Sequence, residues 1–181
     1  PPTASGYFMR RPSESVGKRL GLLAALVLTA QGARGDVHYL AITGRDGPDA
    51  GSTVDTAWRT FPFALSQLKP GDLLLVEPGT WTWNDGGVLN ADCSGGLTAN
   101  GSADAGITVR AAVEREAHII TNGAAPAARV EKCDYWSLEG LFLEGADLAD
   151  AGQHNTLAVT RSNHVTLKRL LVLKDNRYEN T

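Results

Sequence analysis

Short runs of alternating apolar and polar residues recur along this chain at a fixed spacing. The run Val130-Glu-Lys-Cys-Asp-Tyr-Trp136-Ser-Leu138-Glu-Gly-Leu141-Phe-Leu143 lies over the segment Val159 to Val172 at an offset of 29 residues. In that overlay Val130 meets Val159, Trp136 meets Val165, Leu138 meets Leu167, Leu141 meets Leu170 and Leu143 meets Val172. One more step back from Trp136 and Leu138 reaches Ile107 and Val109. Period-2 alternation within a run predicts a strand, and a strand-turn unit repeated at fixed length predicts a solenoid. The pattern therefore predicts an all-β fold, a parallel β-helix of about three coils. Each coil holds short strands bent at corners and stacks on the next at the inter-strand spacing of about 4.8 Å. The expected strands are 107–109, 117–120, 129–131, 136–138, 141–143, 157–159, 165–167 and 170–173.

Ahead of the repeat the pattern changes. Asp36 to Thr43 reads as a first strand with Val37, Tyr39 and Ala41 on one face. Gly44 to Gly51 is a turn-rich loop, in which Asp46 and Asp49 read as turn residues rather than calcium ligands. Phe61, Ala64, Leu65 and Leu68 fall at i, i+3, i+4 and i+7. This is a short amphipathic helix with Thr60 as N-cap, Pro62 in its first turn and Lys69-Pro70-Gly71 as its stop. A solenoid needs its terminal coil covered, and this helix is the expected cap. Asp72 to Glu77 is the next strand. Residues 84–105, dominated by Gly, Asn, Asp, Ser and Ala, read as a long turn or irregular coil.

The 181 residues carry a formal charge of −3 and are 43% hydrophobic, with no basic excess to suggest nucleic acid. The N-terminal stretch reads as a leader rather than as fold. Met9, four basic residues, an apolar run from Leu20 to Ala30, and Ala33-Arg34-Gly35 follow the layout of a secretory signal peptide cut before Asp36. The run is too short for a membrane span, which takes about 20 residues. The expected organisation is thus 1–8 as upstream sequence, 9–35 as signal peptide and 36–181 as the N-terminal part of a β-helix domain, truncated after a strand. The expected location is secreted, periplasmic or cell surface. Export leaves Cys93 and Cys133 open to two readings, a disulfide or two separate thiols.

Tyr39-Leu-Ala-Ile-Thr-Gly-Arg-Asp-Gly47, Ala57-Trp-Arg-Thr-Phe-Pro-Phe-Ala-Leu65, Lys69-Pro-Gly-Asp72 and Glu77-Pro-Gly-Thr-Trp81 open the mature chain. Ala105-Gly-Ile-Thr-Val-Arg-Ala111 and Asp134-Tyr-Trp-Ser-Leu-Glu-Gly-Leu141 follow. Together they resemble the N-terminal part of secreted right-handed parallel β-helix proteins of the pectate-lyase-like superfamily, over about residues 37–175. The resemblance implies a right-handed single-stranded parallel β-helix with a short N-terminal capping helix. For activity it implies a polysaccharide lyase that performs β-elimination on uronic-acid polymers. In such enzymes a cation, usually Ca²⁺, neutralises the substrate carboxylate, and a Lys or Arg removes the C5 proton. Because one fold hosts many functions, a non-catalytic surface β-helix, an adhesin or glycan-binding structural protein, is the alternative.

Ca²⁺ needs six to eight oxygen ligands, and no cluster of Asp and Glu at such a density appears, so Ca²⁺ is expected only in a longer protein. Catalysis, likewise, is expected in coils beyond Thr181. The best binding candidates are corner residues: Lys132 and Asp134 on one coil align with Arg161 and Asn163 on the next. Two cations and a carboxylate stacked side by side suit an acidic polysaccharide or cell-surface glycan, although a solvated turn uses the same residue types. Asp175-Asn176-Arg177 is a second candidate, as the start of a loop. Trp81 and Trp83 offer a sugar-stacking platform or, more commonly, packing under the cap. His38, His118, His154 and His164 show no zinc-site spacing.

Overall fold

The computed structural model describes residues 35–121, 125–145 and 155–173, all within the unit Gln31–Thr181. The proposed leader before Gly35, His154 and the Asp175-Asn176-Arg177 segment lie outside the described residues. The chain runs β1 (Val37–Leu40), α1 (Phe61–Gln67), β2 (Leu73–Val76), β3 (Gly79–Thr82) and β4 (Leu89–Asp92). It continues through β5 (Ile107–Ala111), β6 (Ala117–Ile120), β7 (Ala128–Glu131), β8 (Trp136–Glu139) and β9 (Phe142–Glu144). The last described strands are β10 (Leu157–Thr160), β11 (Thr166–Lys168) and β12 (Leu171–Leu173).

These strands form three parallel sheets. The first has the order β1-β2-β5-β8-β11, the second β3-β6-β9-β12 and the third β4-β7-β10. From β2 onward the strands fall to the first, second and third sheets in turn, coil after coil, which is a parallel β-helix. The 29-residue register is the pairing itself: Ile107 opposes Trp136, Leu138 opposes Leu167, Val130 opposes Val159 and Leu143 opposes Val172. The backbone repeats with it. Lys132 and Arg161, Tyr135 and His164, and Gly140 and Arg169 all take positive φ between 51° and 66°. A left-handed residue turns the strand direction sharply, so these are the corners.

Inward side chains stack in columns, such as Leu74–Val109–Leu138–Leu167 in the first sheet and Trp81–Ile119–Leu143–Val172 in the second. Trp81, Trp136, Leu74, Ile107, Ile119, Leu138 and Leu143 are essentially inaccessible. Each such aliphatic side chain contributes roughly 1.5–3 kcal/mol. At one end α1 covers the stack as expected. Thr60 caps it by accepting from the Phe63 amide, and Phe61, Ala64, Leu65 and Leu68 are buried. Phe61 packs edge-on against Trp81. At the last described coil the same columns are open, with Val159, Leu167 and Val172 39, 44 and 43% exposed.

Two expectations are corrected. In the first strand the buried face carries Leu40, while Val37 is exposed, because His38 and Leu40 oppose the inward Leu74 and Val76. Residues 84–105 are not irregular throughout. They hold β4, which pairs with β7, and a short 3-10 helix at Cys93–Gly95. Leu89-Asn-Ala-Asp is too short and too weakly apolar to announce a strand. Its inward residues are buried only because Ala128 and Val130 of the next coil lie against them. Trp81 packs under the cap, the commoner of its two expected roles, with its indole N–H donating to the Arg59 carbonyl, and it forms no platform with the exposed Trp83.

Candidate functional site

The outer face of the third sheet carries the residues that the corner alignment singles out. Lys132 and Arg161 do occupy equivalent corners of successive coils, each with a left-handed backbone. Asp134 sits beside them, but its carboxylate is spent on the fold. Its Oδ1 accepts from the Asn163 amide at 2.7 Å and the Asn163 side-chain amide at 3.1 Å. On the other side the Asp134 amide donates to Asn100 Oδ1. The result is an Asn100–Asp134–Asn163 ladder that ties three coils at one corner. Arg161 turns instead to Glu131, the last residue of β7, which alternation aims outward yet which is only 3% exposed. Arg129 approaches the same carboxylate, forming an ion pair with Oε2 that is not aligned as a hydrogen bond. One nearly buried carboxylate thus holds two guanidiniums.

Asp92, opposite Glu131 in the neighbouring strand, is held below the usual carboxylate range. Hydrogen bonds from Ser94 come first among the causes, with the charges of Lys132 and Arg129 adding to them against a small burial penalty. Directly behind this corner Cys93 and Cys133 form a disulfide that joins adjacent coils. Tyr135 and His164 stack in parallel, with ring centroids 4.4 Å apart. The arrangement is braced, self-neutralising and continuous from coil to coil.

The outer face of the first sheet is different. The outward column Leu75–Arg110–Glu139–Lys168 is set by pairing of β2, β5, β8 and β11. It borders an open groove of about 420 Å³ lined by Leu75, Arg110, Ala111, Ala112, Glu114, Gly140 and Arg169. Glu139, largely buried, accepts from Lys168 at 3.1 Å and meets Arg169 at 3.4 Å. Arg169 also reaches Glu114 at 3.6 Å, as does Arg115 from the other side. Burial alone would raise the Glu139 carboxyl. Hydrogen bonds from Lys168 and Ser137 and the charges of Lys168 and Arg169 outweigh that and hold it below the ordinary value. Four cations therefore face two carboxylates, and Arg110 pairs with no carboxylate among the described residues. The signal was available in the repeat: Arg110, Glu139 and Lys168 recur at 29-residue steps, as do Gly140 and Arg169.

Elsewhere the charged groups are committed to local structure. Asp46 accepts from the Arg59 and Thr60 amides and from the Thr60 hydroxyl, pinning its loop to the start of α1. That is the turn role expected of it. The described residues hold one group of potential metal ligands, Asp36, His38 and Asp72, whose ligand atoms lie within 4.8 Å of one another. Here spacing along the sequence was uninformative, because pairing of β1 with β2 brings His38 to Asp72. The buried Asp72 carboxylate is already engaged by the Asp36 and Lys69 amides, each at 2.8 Å, and by His38 Nε2 at 3.3 Å.

No protein-family model matches the chain, and no curated protein matches it. Among solved structures it is similar to the GH136 lacto-N-biosidase from Eubacterium ramulus. The native crystal structure aligns at 20% identity with a TM-score of 0.52, over 77% of this chain and 27% of that one. The selenomethionine derivative of the same enzyme gives 19% identity, a TM-score of 0.50 and coverage of 76% and 27%. The chain thus spans about a quarter of the length of the solved structures it matches. Similarity at this level of identity is similarity of fold, and the fold shared is the parallel β-helix.

Proposed function

We propose that this chain is the N-terminal part of an exported carbohydrate-active β-helix protein that holds an acidic polysaccharide on the outer face of its first sheet. The observation that carries the reading is the groove lined by Arg110, Arg169 and Glu114, in which cations outnumber carboxylates and Arg110 pairs with no carboxylate among the described residues. A planar guanidinium binds a sugar carboxylate through two parallel hydrogen bonds, and the half-buried groove weakens competition from water. The similar structures are those of a lacto-N-biosidase, a carbohydrate-active enzyme, which supports the same class. Export is supported by the leader pattern and by the Cys93–Cys133 disulfide, which suits an oxidising compartment.

For the chemistry we retain the lyase-like reading that the pectate-lyase-like resemblance implies. In β-elimination a base takes the C5 proton, the C4–C5 double bond forms and the C4–O bond to the leaving sugar breaks. The first requirement is that the C6 carboxylate be neutralised, and the groove arginines supply that without a dense oxygen cage. Hydrolysis needs a carboxylic acid and a carboxylate flanking the scissile bond. Glu114 and Glu139 both contact Arg169, and Glu139, held below the ordinary carboxyl value by its cations, suits the carboxylate role and not the acid. Lys168 is tied to Glu139 and is not free to take that proton.

The test is binding and turnover on polygalacturonate, alginate and chondroitin, with neutral galactan as control. Retention of the acidic polymers alone, lost with Arg110→Ala, is expected. Ultraviolet absorbance of an unsaturated product marks the lyase, new reducing ends without it mark a hydrolase, and binding without either marks the non-catalytic surface protein. Equal binding of neutral and acidic polymers would sink the proposal.

A further inference from the structure

The buried carboxylate of Asp72 has no evident use in the groove or at the third-sheet corner. It is 3% exposed, lies just before β2 and collects its donors from three places. The Asp36 nitrogen donates to Oδ1 at 2.8 Å, the Lys69 amide donates to Oδ2 at 2.8 Å and His38 Nε2 stands 3.3 Å from Oδ2. His38 is held there by stacking on Trp58, with ring centroids 4.7 Å apart. Asp36 is fixed at its other end as well, since its carbonyl accepts from the Leu73 amide at 2.9 Å. A buried carboxylate is expensive without a compensating charge, and one of the two backbone nitrogens donating to it is that of Asp36. That residue is the first one after the Ala33-Arg34-Gly35 cleavage pattern.

Gly35 supplies the second observation. A Cβ built on it would lie 1.9 Å from the Gly71 carbonyl carbon, 2.0 Å from the Gly71 oxygen and 2.3 Å from the Asp72 nitrogen. The residue before Asp36 therefore has no room for any side chain in the folded coil, and a glycine, which also fits the small −1 position of the cleavage pattern, is what stands there. Cutting the Gly35–Asp36 bond converts the Asp36 nitrogen from a neutral amide into an ammonium at hydrogen-bond distance from the buried carboxylate.

We infer that Asp72 is the binding site for the chain's own mature N-terminus: leader removal before Asp36 creates an ammonium that pairs with Asp72 and locks β1 onto β2. This rests on the export reading above. In balance, hydrolysis of the Gly35–Asp36 peptide bond by one water gives the leader carboxylate and the Asp36 ammonium. Asp72 then holds an ion pair in place of a neutral hydrogen bond, with His38 and the Lys69 amide on the second oxygen. The cap end of the β-helix is completed by processing.

The experiment starts from the full precursor expressed in a secreting host. The N-terminus of the exported protein is read by mass spectrometry and is expected at Asp36. A free α-amine, with a pKa of about 7.7–8.0, labels faster at neutral pH than lysine, at about 10.4. The captured amine is expected to label more slowly than Lys132 and Lys168 in the native protein and faster than both in urea. Acetylating it in urea and refolding should lower the melting temperature by roughly 5 °C or more, with no comparable drop in Asp72→Asn. If Asp72→Asn does not fold, the labelling order in the wild type decides. A mature N-terminus at Asp36 whose amine labels freely overturns the inference and leaves export standing. Export with a different first residue overturns it too, and a precursor that stays uncut in the cell overturns the export reading along with it.

Discussion

The two outer faces of this β-helix use the same residue types to opposite ends. On the third sheet Glu131 satisfies Arg129 and Arg161, Asp134 is absorbed into the Asn100–Asp134–Asn163 ladder, and Cys93–Cys133 staples the corner. On the first sheet Glu139 and Glu114 are shared among Lys168, Arg169 and Arg115, and Arg110 is left over among the described residues. A stacked row of charges is therefore not a binding site in itself. What matters is the remainder after the row has neutralised itself, and that differs between the faces.

The comparison breaks most readily at the braced face. Reducing the disulfide, or Cys133→Ser, opens a loop of 40 residues and should cost about 4 kcal/mol by chain entropy. Denaturant unfolding checks this, and an unchanged midpoint would show that the corner is braced by its ladder alone. Glu131→Ala leaves two arginines facing each other over a largely dry site. With both guanidiniums partly in solvent, a loss of about 2–3 kcal/mol is expected, with binding of acidic polymer unchanged. Arg110→Ala should do the reverse, weakening that binding about tenfold, or roughly 1.4 kcal/mol, while moving stability by less than about 0.5 kcal/mol. Calorimetry on both variants reads the two quantities side by side.

The smallest effect is on pH dependence. The folded pKa of Glu139 lies below its unfolded value near 4.5, so its contribution is fully present above that value. It is lost as the pH falls through the lower folded pKa, because the unfolded state then binds the proton more readily. Glu139→Gln should flatten this part of the acid limb of the melting curve, and an unchanged limb would show that the Lys168 and Arg169 contacts contribute little.

Much of the fold was legible because a β-helix writes its register into the chain. Inward columns demand apolar residues at one repeat distance, so Ile107, Trp136 and Val165 announced the stack, and Thr60 with Phe61 to Leu68 announced the cap. β4 escaped because Leu89 and Ala91 owe their burial to Ala128 and Val130 across the coil rather than to local pattern. The site was less legible for the same reason. Lys132, Asp134 and Arg161 were correctly aligned as neighbours, but alignment does not show that Arg161 turns to Glu131 or that Asp134 accepts from Asn163.

Periodicity and local composition already encode the repeat, the direction of most side chains and the covered end. Which charges cancel, which cation is left without a carboxylate among the described residues, and the meeting of Asp72 with the Asp36 nitrogen arise from the stacking of the coils. Those outcomes depend on distances between residues about 30 positions apart in the chain, and Coulomb energy and hydrogen bonding are set by separation in space and by burial.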